Sequence, residues 1–170
     1  MKRLPWLALV LLAGCSQKVT PKVSPQEYEL YSAWMQHHFP KAPDGALYLS
    51  TRTFAWPSES CGPALKKEGV DTALVGQLAD LGEAEFPLDL HAPTLKVPWA
   101  FKEAEGYPAD KSGTYRLVAF SRAAFNRRST QALFAVSDSC GGLCGGGGVV
   151  IAWRDSGVWQ FKPSGCFWQY

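Results

Sequence analysis

The chain has 170 residues, 17 of them Lys or Arg and 15 Asp or Glu, with five cysteines and seven tryptophans. The excess of positive charge resides in Lys2 and Arg3, so residues 15 onward balance at 15 against 15 (17 − 2 basic, 15 acidic). This excludes the basic domain that nucleic-acid binding demands, and about 150 residues suffice for one domain with its own core.

Lys2 and Arg3 precede an apolar run from Leu4 to Gly14, interrupted only by Pro5. Charge followed by oil is the order of a secretory signal. The run is shorter than the about 20 residues needed to span a bilayer. Leu12-Ala13-Gly14-Cys15 resembles the lipobox of bacterial lipoproteins. That resemblance implies removal of residues 1–14, a diacylglycerol on the Cys15 sulfur, and a membrane partner reached through lipid. Ser16, in place of the Asp that often retains such proteins in the inner membrane, favours an outer-membrane anchor facing the periplasm. Residues 15–23 then form a lipidated tether and residues 24–170 the globular domain. Cys61, Cys140, Cys144 and Cys166 remain as an even set in an oxidising compartment, where three pairings are open.

Ser24, Pro25 and Glu27 supply an N-cap, a first-turn proline and the acidic partner of a capping box. Tyr28, Tyr31, Met35 and His38 recur at helical spacing beside Leu30 and Trp34, until Phe39 and Pro40 end the pattern. His37 and His38 point about 100° apart on such a helix. They read as a helix-end pair, not as metal ligands. Leu47 to Phe54 alternates as a strand, and Trp56, Pro57 and residues 58–63 break it. A second helix is expected from Asp71 to Leu81, with Leu74, Val75, Leu78 and Leu81 as its buried stripe and Gly82 at its stop. Phe86 to Pro98 reads as irregular chain with a short strand at Leu95–Val97.

From Tyr115 the pattern becomes strands and turns. Strands are expected at Tyr115–Arg122, Gln131–Asp138, Val149–Trp153 and Val158–Phe161, with Cys166–Tyr170 as a fifth. Arg154, Asp155, Ser156 and Gly157 make a tight hairpin, and Ile151, Trp153, Trp159 and Phe161 are expected on one face against the helices. The fold class is therefore α+β: N-terminal helices packed on a C-terminal antiparallel β-meander, in a single domain.

Residues Ser139 to Gly148 hold six glycines and two cysteines, which makes this segment the most unusual in the chain. It lacks the Lys and Ser/Thr of a phosphate-binding loop. Three residues separate Cys140 from Cys144, where a Cys-x-x-Cys redox motif has two. A disulfide pinning a glycine-rich turn fits better. No Gly-x-Ser-x-Gly is present for nucleophilic hydrolysis, and nothing links His37, His38 or His91 to Ser139 and Asp138. Arg122, Arg127 and Arg128 bracket a turn at Asn126, either as ligands for phosphate or carboxylate groups of lipid or peptidoglycan or as a solvated hairpin end. The aromatic excess suits a core, or a groove for a sugar or peptide.

Phe120-Ser121-Arg122-Ala123-Ala124-Phe125-Asn126, Gln131-Ala132-Leu133, the segment Ser139–Gly148 and Val158-Trp159 together resemble a family of uncharacterised bacterial exported lipoproteins. Its marks are an FSRxxFN turn and a CGxLCGGG loop, covering about residues 70–161 here. Trp153-Arg154 departs from the lysine-rich hairpin end expected there, and Cys61 and Cys166 look like additions. The resemblance implies a Cys140–Cys144 disulfide, which leaves Cys61 for Cys166, and it brings no enzymatic activity. The sequence thus points to a non-enzymatic envelope binding or structural lipoprotein with no cofactor, metal or catalytic residue. Leu143, Gly145, Gly146 and Gly147 are its expected contact with an envelope protein or cell-wall partner. A periplasmic immunity or inhibitor protein, and an envelope hydrolase or thiol-redox enzyme, are the alternatives.

Overall fold

The fold begins with a reciprocal cap. The Glu27 N–H donates to Ser24 Oγ at 3.3 Å, and the Ser24 N–H donates to Glu27 Oε2 at 2.8 Å. Helix α1 (Pro25–His38) follows, its proline placed where a missing N–H costs nothing. Its apolar side chains Tyr28, Leu30, Tyr31, Trp34 and Met35 are buried. The computed structural model describes residues 22–55, 61–106, 115–140 and 144–169. The expected signal segment, Cys15 and Leu143 lie outside them.

Beyond α1 come β1 (Ala46–Ser50), α2 (Gly62–Lys67), α3 (Thr72–Leu81), β2 (Lys102–Ala104), β3 (Tyr115–Phe120), β4 (Ala124–Phe125), β5 (Gln131–Ser139), β6 (Gly145–Asp155) and β7 (Val158–Gln169). They form an α+β unit around one seven-stranded sheet of order β2-β1-β3-β5-β6-β7, with β4 paired to β5. Strands β3, β5, β6 and β7 make the antiparallel meander the sequence predicts. The sheet as a whole is mixed, because β1 pairs parallel to both β2 and β3. Parallel neighbours need a long crossover, which the chain from residue 51 to 114, carrying α2 and α3, supplies.

Three local expectations are corrected. Residues 95–97 form no strand: Ser32 of α1 accepts the Lys96 N–H at 2.7 Å and Gln36 donates to the Lys96 carbonyl at 3.2 Å, so helix side chains take the groups a ladder would use. The edge strand forms later, at β2. Gly62 and Pro63, read only as part of a strand break, also start α2, with the proline in the first turn. Cys166 belongs to β7 itself, which runs past an irregularity opposite Gly148–Val150.

Both faces of the sheet are covered. Ala132, Phe134 and Val136 of β5 face α1, while Leu133 and Ala135 pack with Leu65, Leu74 and Leu78 of α2 and α3. The hairpin decides which residues of β6 and β7 go where. Ser156 and Gly157 both have positive φ, at 50° and 85°, so a two-residue turn sets Arg154 opposite Trp159 and Ala152 opposite Phe161. Trp159 and Phe161 therefore lie on the α1 face. Ile151 lies on the α2–α3 face, and Trp153, two residues on, shares its side. The expected single aromatic face is divided between the two layers.

One polar joint ties α1 to the strands. Arg122 Nε donates to Glu27 Oε1 at 2.7 Å and Nη2 donates to Oε2 at 3.1 Å, with the side chains 8% and 2% exposed. The Ala123 N–H donates to the same Glu27 Oε1 at 3.0 Å, and the Tyr31 hydroxyl donates to the Ser121 carbonyl at 2.7 Å. Ser121 Oγ accepts the Ala135 N–H at 2.8 Å, bridging the ladder where the chain leaves β3 for β4. Glu27→Gln keeps the shape of the side chain but strands a buried guanidinium. It should lower the unfolding free energy by about 3–5 kcal/mol in a urea titration. Adding Arg122→Met to that variant should recover part of the loss. A cost below about 1 kcal/mol, typical of an exposed pair, would contradict this role.

Candidate functional site

The glycine run belongs to a strand, not to an open loop. Gly146 pairs with Asp138 on one side and Gln169 on the other, Gly147 with Ser137 and Trp168, and Gly148 with Val136 and Phe167. Close approach explains the composition. A Cβ on Gly146 would lie 2.6 Å from the Trp168 carbonyl oxygen, and one on Gly148 2.9 Å from that of Cys166. A Cβ on Gly147 would overlap the Trp168 indole and sit 2.5 Å from the Val136 carbonyl oxygen. Gly145, Gly146 and Gly147, expected as a partner contact, spend their backbone on ladder pairing.

What the run does expose is an absence of side chains. Strand alternation puts Gly146 and Gly148 on the α1 face with Val136 and Asp138. There they floor a cleft of about 550 Å³ beside the end of α1. Trp34, His37 and His38 line it from the last turns of the helix, and Phe161 and Phe167 line it from β7. Phe167 is 73% exposed, an unusual state for so large an apolar side chain. It sits beside Cys166, which a disulfide joins to Cys61 at the start of α2. The second disulfide, Cys140–Cys144, closes the β5–β6 connection, where the Cys140 N–H also donates to the Cys144 carbonyl at 2.9 Å. Cys140 lines the cleft.

Its polar centre is an Arg–Asp–His set assembled from three elements. Arg116 Nε, on β3, donates to Asp138 Oδ1 at 3.0 Å, and Arg116 Nη2 bonds Asp138 Oδ2. His38 Nε2 lies 3.5 Å from Asp138 Oδ2, and its ring stacks on Trp34 with centroids 4.4 Å apart. Burial alone would raise the Asp138 pKa, but hydrogen bonds from His38 and Arg116 outweigh it and hold the carboxyl below its ordinary value. The bond to Asp138 in turn raises Arg116 against the opposing effect of burial. A carboxylate held ionised serves as an acceptor, whereas a general acid near neutral pH needs a raised pKa.

The other singled-out residues go elsewhere. Arg122 is buried at 7% exposure and committed to Glu27, which corrects its reading as a surface ligand. Arg127 and Arg128 are exposed on a turn built by Asn126, whose Oδ1 accepts the Thr130 N–H at 2.8 Å and the Gln131 N–H at 3.2 Å. His91 pairs with Glu103 on β2, at the opposite end of the strand order from β7. Ser139 is buried in β5. Arg116 and Phe167 are site residues the sequence reading missed, and Asp138 entered it only as a neighbour of the glycine segment. A charged residue interrupting each of two apolar strands, at Arg116 and Asp138, was the available signal. The chain has no significant match to a family model, to a curated protein or to a solved structure.

Gly147→Ala should destabilise the domain by about 1–3 kcal/mol or more through overpacking against Trp168 and Val136. Gly76→Ala, in α3, where a Cβ meets nothing within 4 Å, should instead stabilise it by about 0.5–1 kcal/mol. Equal effects of the two changes would remove the close-approach argument. For Asp138, a lowered pKa means stability that is present above the ordinary carboxyl value of 3.8 and lost as the pH falls through the lower folded value. The stability gap between wild type and Asp138→Asn, followed by denaturant titration on the acid side of neutrality, should therefore narrow below about pH 3.8. A gap that widens on acidification would contradict the assignment.

Proposed function

We propose that this protein is a lipid-anchored lipoprotein of the bacterial envelope whose folded domain is a binding module, not a catalyst. The anchor half rests on the basic start, the short apolar run and Leu12-Ala13-Gly14-Cys15. The two disulfides suit the oxidising compartment that export implies. The resemblance to exported lipoproteins with an FSRxxFN turn belongs to the same reading, with an outer-membrane anchor facing the periplasm.

One observation carries the binding half: the glycine-floored cleft. Gly146 and Gly148 leave uncovered a stretch of sheet that α1 stops short of, and an exposed Phe167 stands at its rim. Its volume falls in the range of small-ligand sites, about 300–1,000 Å³. Asp138, kept ionised and hydrogen-bonded, favours recognition over proton transfer. Of the three glycines expected at the contact, Gly146 belongs to it through the side chain it lacks, whereas Gly147 faces the other side of the sheet under Trp168.

The full-length protein, made in bacteria and purified in detergent from the membrane fraction, tests both halves. Wild type should incorporate labelled fatty acid and sediment with membranes, and Cys15→Ser should do neither; label on that variant would overturn the anchor. A low-molecular-weight digest of cell envelope should raise the melting temperature of wild type, since ligand at 100 times Kd stabilises by about 2.7 kcal/mol. Phe167→Glu, at an exposed position, should melt near wild type without digest and lose the rise. An equal rise in both proteins, or none in wild type, would overturn the binding site.

A further inference from the structure

We propose that the cleft receives a neutral oligosaccharide, with one sugar ring laid over the glycine floor against Phe167 and a hydroxyl held by the Arg116–Asp138 pair. The inference rests on the cleft being the binding site and adds the chemical class of its ligand.

Charge selects the class first. Of the permanent cations among the described lining residues, Arg116 already faces Asp138, and Lys162, opposite Ile151, turns to the other side of the sheet, where its Nζ lies 3.2 Å from Glu68. A phosphate or carboxylate ligand would meet no uncompensated cation there and would approach Asp138. A cationic ligand would approach Arg116. The balanced pair suits a group that is neutral and both gives and takes hydrogen bonds. An ionised carboxylate offers about four lone-pair sites and a guanidinium five N–H donors. Arg116 and His38 occupy part of the Asp138 set, and Arg116 spends two of its donors on Asp138. Among the described residues, that leaves an acceptor site on Asp138 next to further N–H donors on the rigid planar fork of Arg116. A hydroxyl, donor and acceptor at once, matches that pattern.

Shape agrees with charge. A sugar ring has an apolar C–H face and a polar rim. Gly148 lies directly opposite Phe167 on β7, so bare backbone adjoins an aromatic side chain that is largely open to solvent. The disulfide at the neighbouring Cys166 fixes that strand, so little ordering entropy is lost when a ligand seats against Phe167. His37, with its ring 5.4 Å from that of Phe161, and Gln169, paired with Gly146, add polar atoms to the rim. A peptide is the competing occupant, and it would bind most readily as an added strand on the β7 edge. That edge is poorly suited: Pro163 has no N–H, and the Gly165 N–H already donates to Glu68 Oε1 at 2.5 Å.

Isothermal titration of the detergent-solubilised full chain, with tryptophan emission recorded in parallel, tests the class. The probes are a neutral N-acetylglucosamine tetramer, a neutral glucose tetramer, a galacturonic acid tetramer, a tetra-alanine peptide and inorganic phosphate. At least one neutral tetramer should bind saturably, at least tenfold tighter than the acidic tetramer, the peptide or phosphate. Phe167→Ala should weaken that binding tenfold or more, while Phe167→Tyr keeps it within about threefold because the stacking ring remains. Asp138→Asn should weaken it without changing the effect of Phe167→Tyr. Tighter binding of the acidic tetramer or the peptide, or an affinity unmoved by Phe167→Ala, would overturn the proposal. Should the envelope digest stabilise wild type but not Phe167→Glu while both neutral tetramers fail to bind, the ligand class is wrong and the binding cleft stands. Failure of digest and tetramers together removes both.

Discussion

The Glu27–Arg122 pair is the constraint around which the α1 side of the molecule is arranged. Glu27 answers to two elements at once: its Oε2 completes the cap of α1 and takes Arg122 Nη2, and its Oε1 takes Arg122 Nε and the Ala123 N–H. A side chain serving a helix start and a strand corner together leaves the helix one position over the sheet. Tyr31 reinforces it from one turn later, through its bond to the Ser121 carbonyl and its ring stacked on Phe120 at 4.4 Å. Burial, then the neighbouring Glu27 charge, pushes the Tyr31 hydroxyl well above its usual pKa, so it stays a donor. Where α1 ends, and hence how much sheet it leaves bare, follows from where this joint holds its beginning.

That arrangement accounts for the division between covered and open sheet. Strand β5 is apolar on both sides from Ala132 to Val136 because a helical layer lies on each. Past Val136 the pattern changes to Ser137, Asp138 and Ser139 on β5 and to glycine on β6. The change coincides with the end of α1, and the site residues cluster there: His38 at the last helical position, Asp138 near the end of its strand, Phe167 near the end of the chain.

How much of this was legible in the sequence depended on how near each residue's partner stood. The cap at Ser24, the helix it starts and the hairpin at Ser156–Gly157 are local, and their residues announce them. The parallel pairing of β1 was hidden, because its neighbour β3 lies across a long crossover. Arg122 read as a surface group since its partner is 95 residues away. The glycine strand was misread for a related reason. Glycine ordinarily weakens a strand, and the cause that overrides the rule, Trp168 crossing close above Gly147, arrives only when β7 folds back. Phe167 gave no signal of exposure, since its neighbours Cys166 and Trp168 are buried and half-buried on the other side of the same strand.

The direction of α1 sets a distance. The described chain enters the helix from Lys22–Ser24 and the cleft opens beside its last turn, so one helix length, about 21 Å at 1.5 Å per residue, separates the two. Val23 is already buried in the core and the Lys22 carbonyl accepts from Arg122 Nη2 at 3.4 Å, so with lipid on Cys15 as proposed the seven residues 15–21 can span at most about 24 Å. On the proposed anchor the cleft can lie up to roughly 45 Å from the lipid, and shortening the segment before Lys22 would shorten that reach without altering a contact in the site.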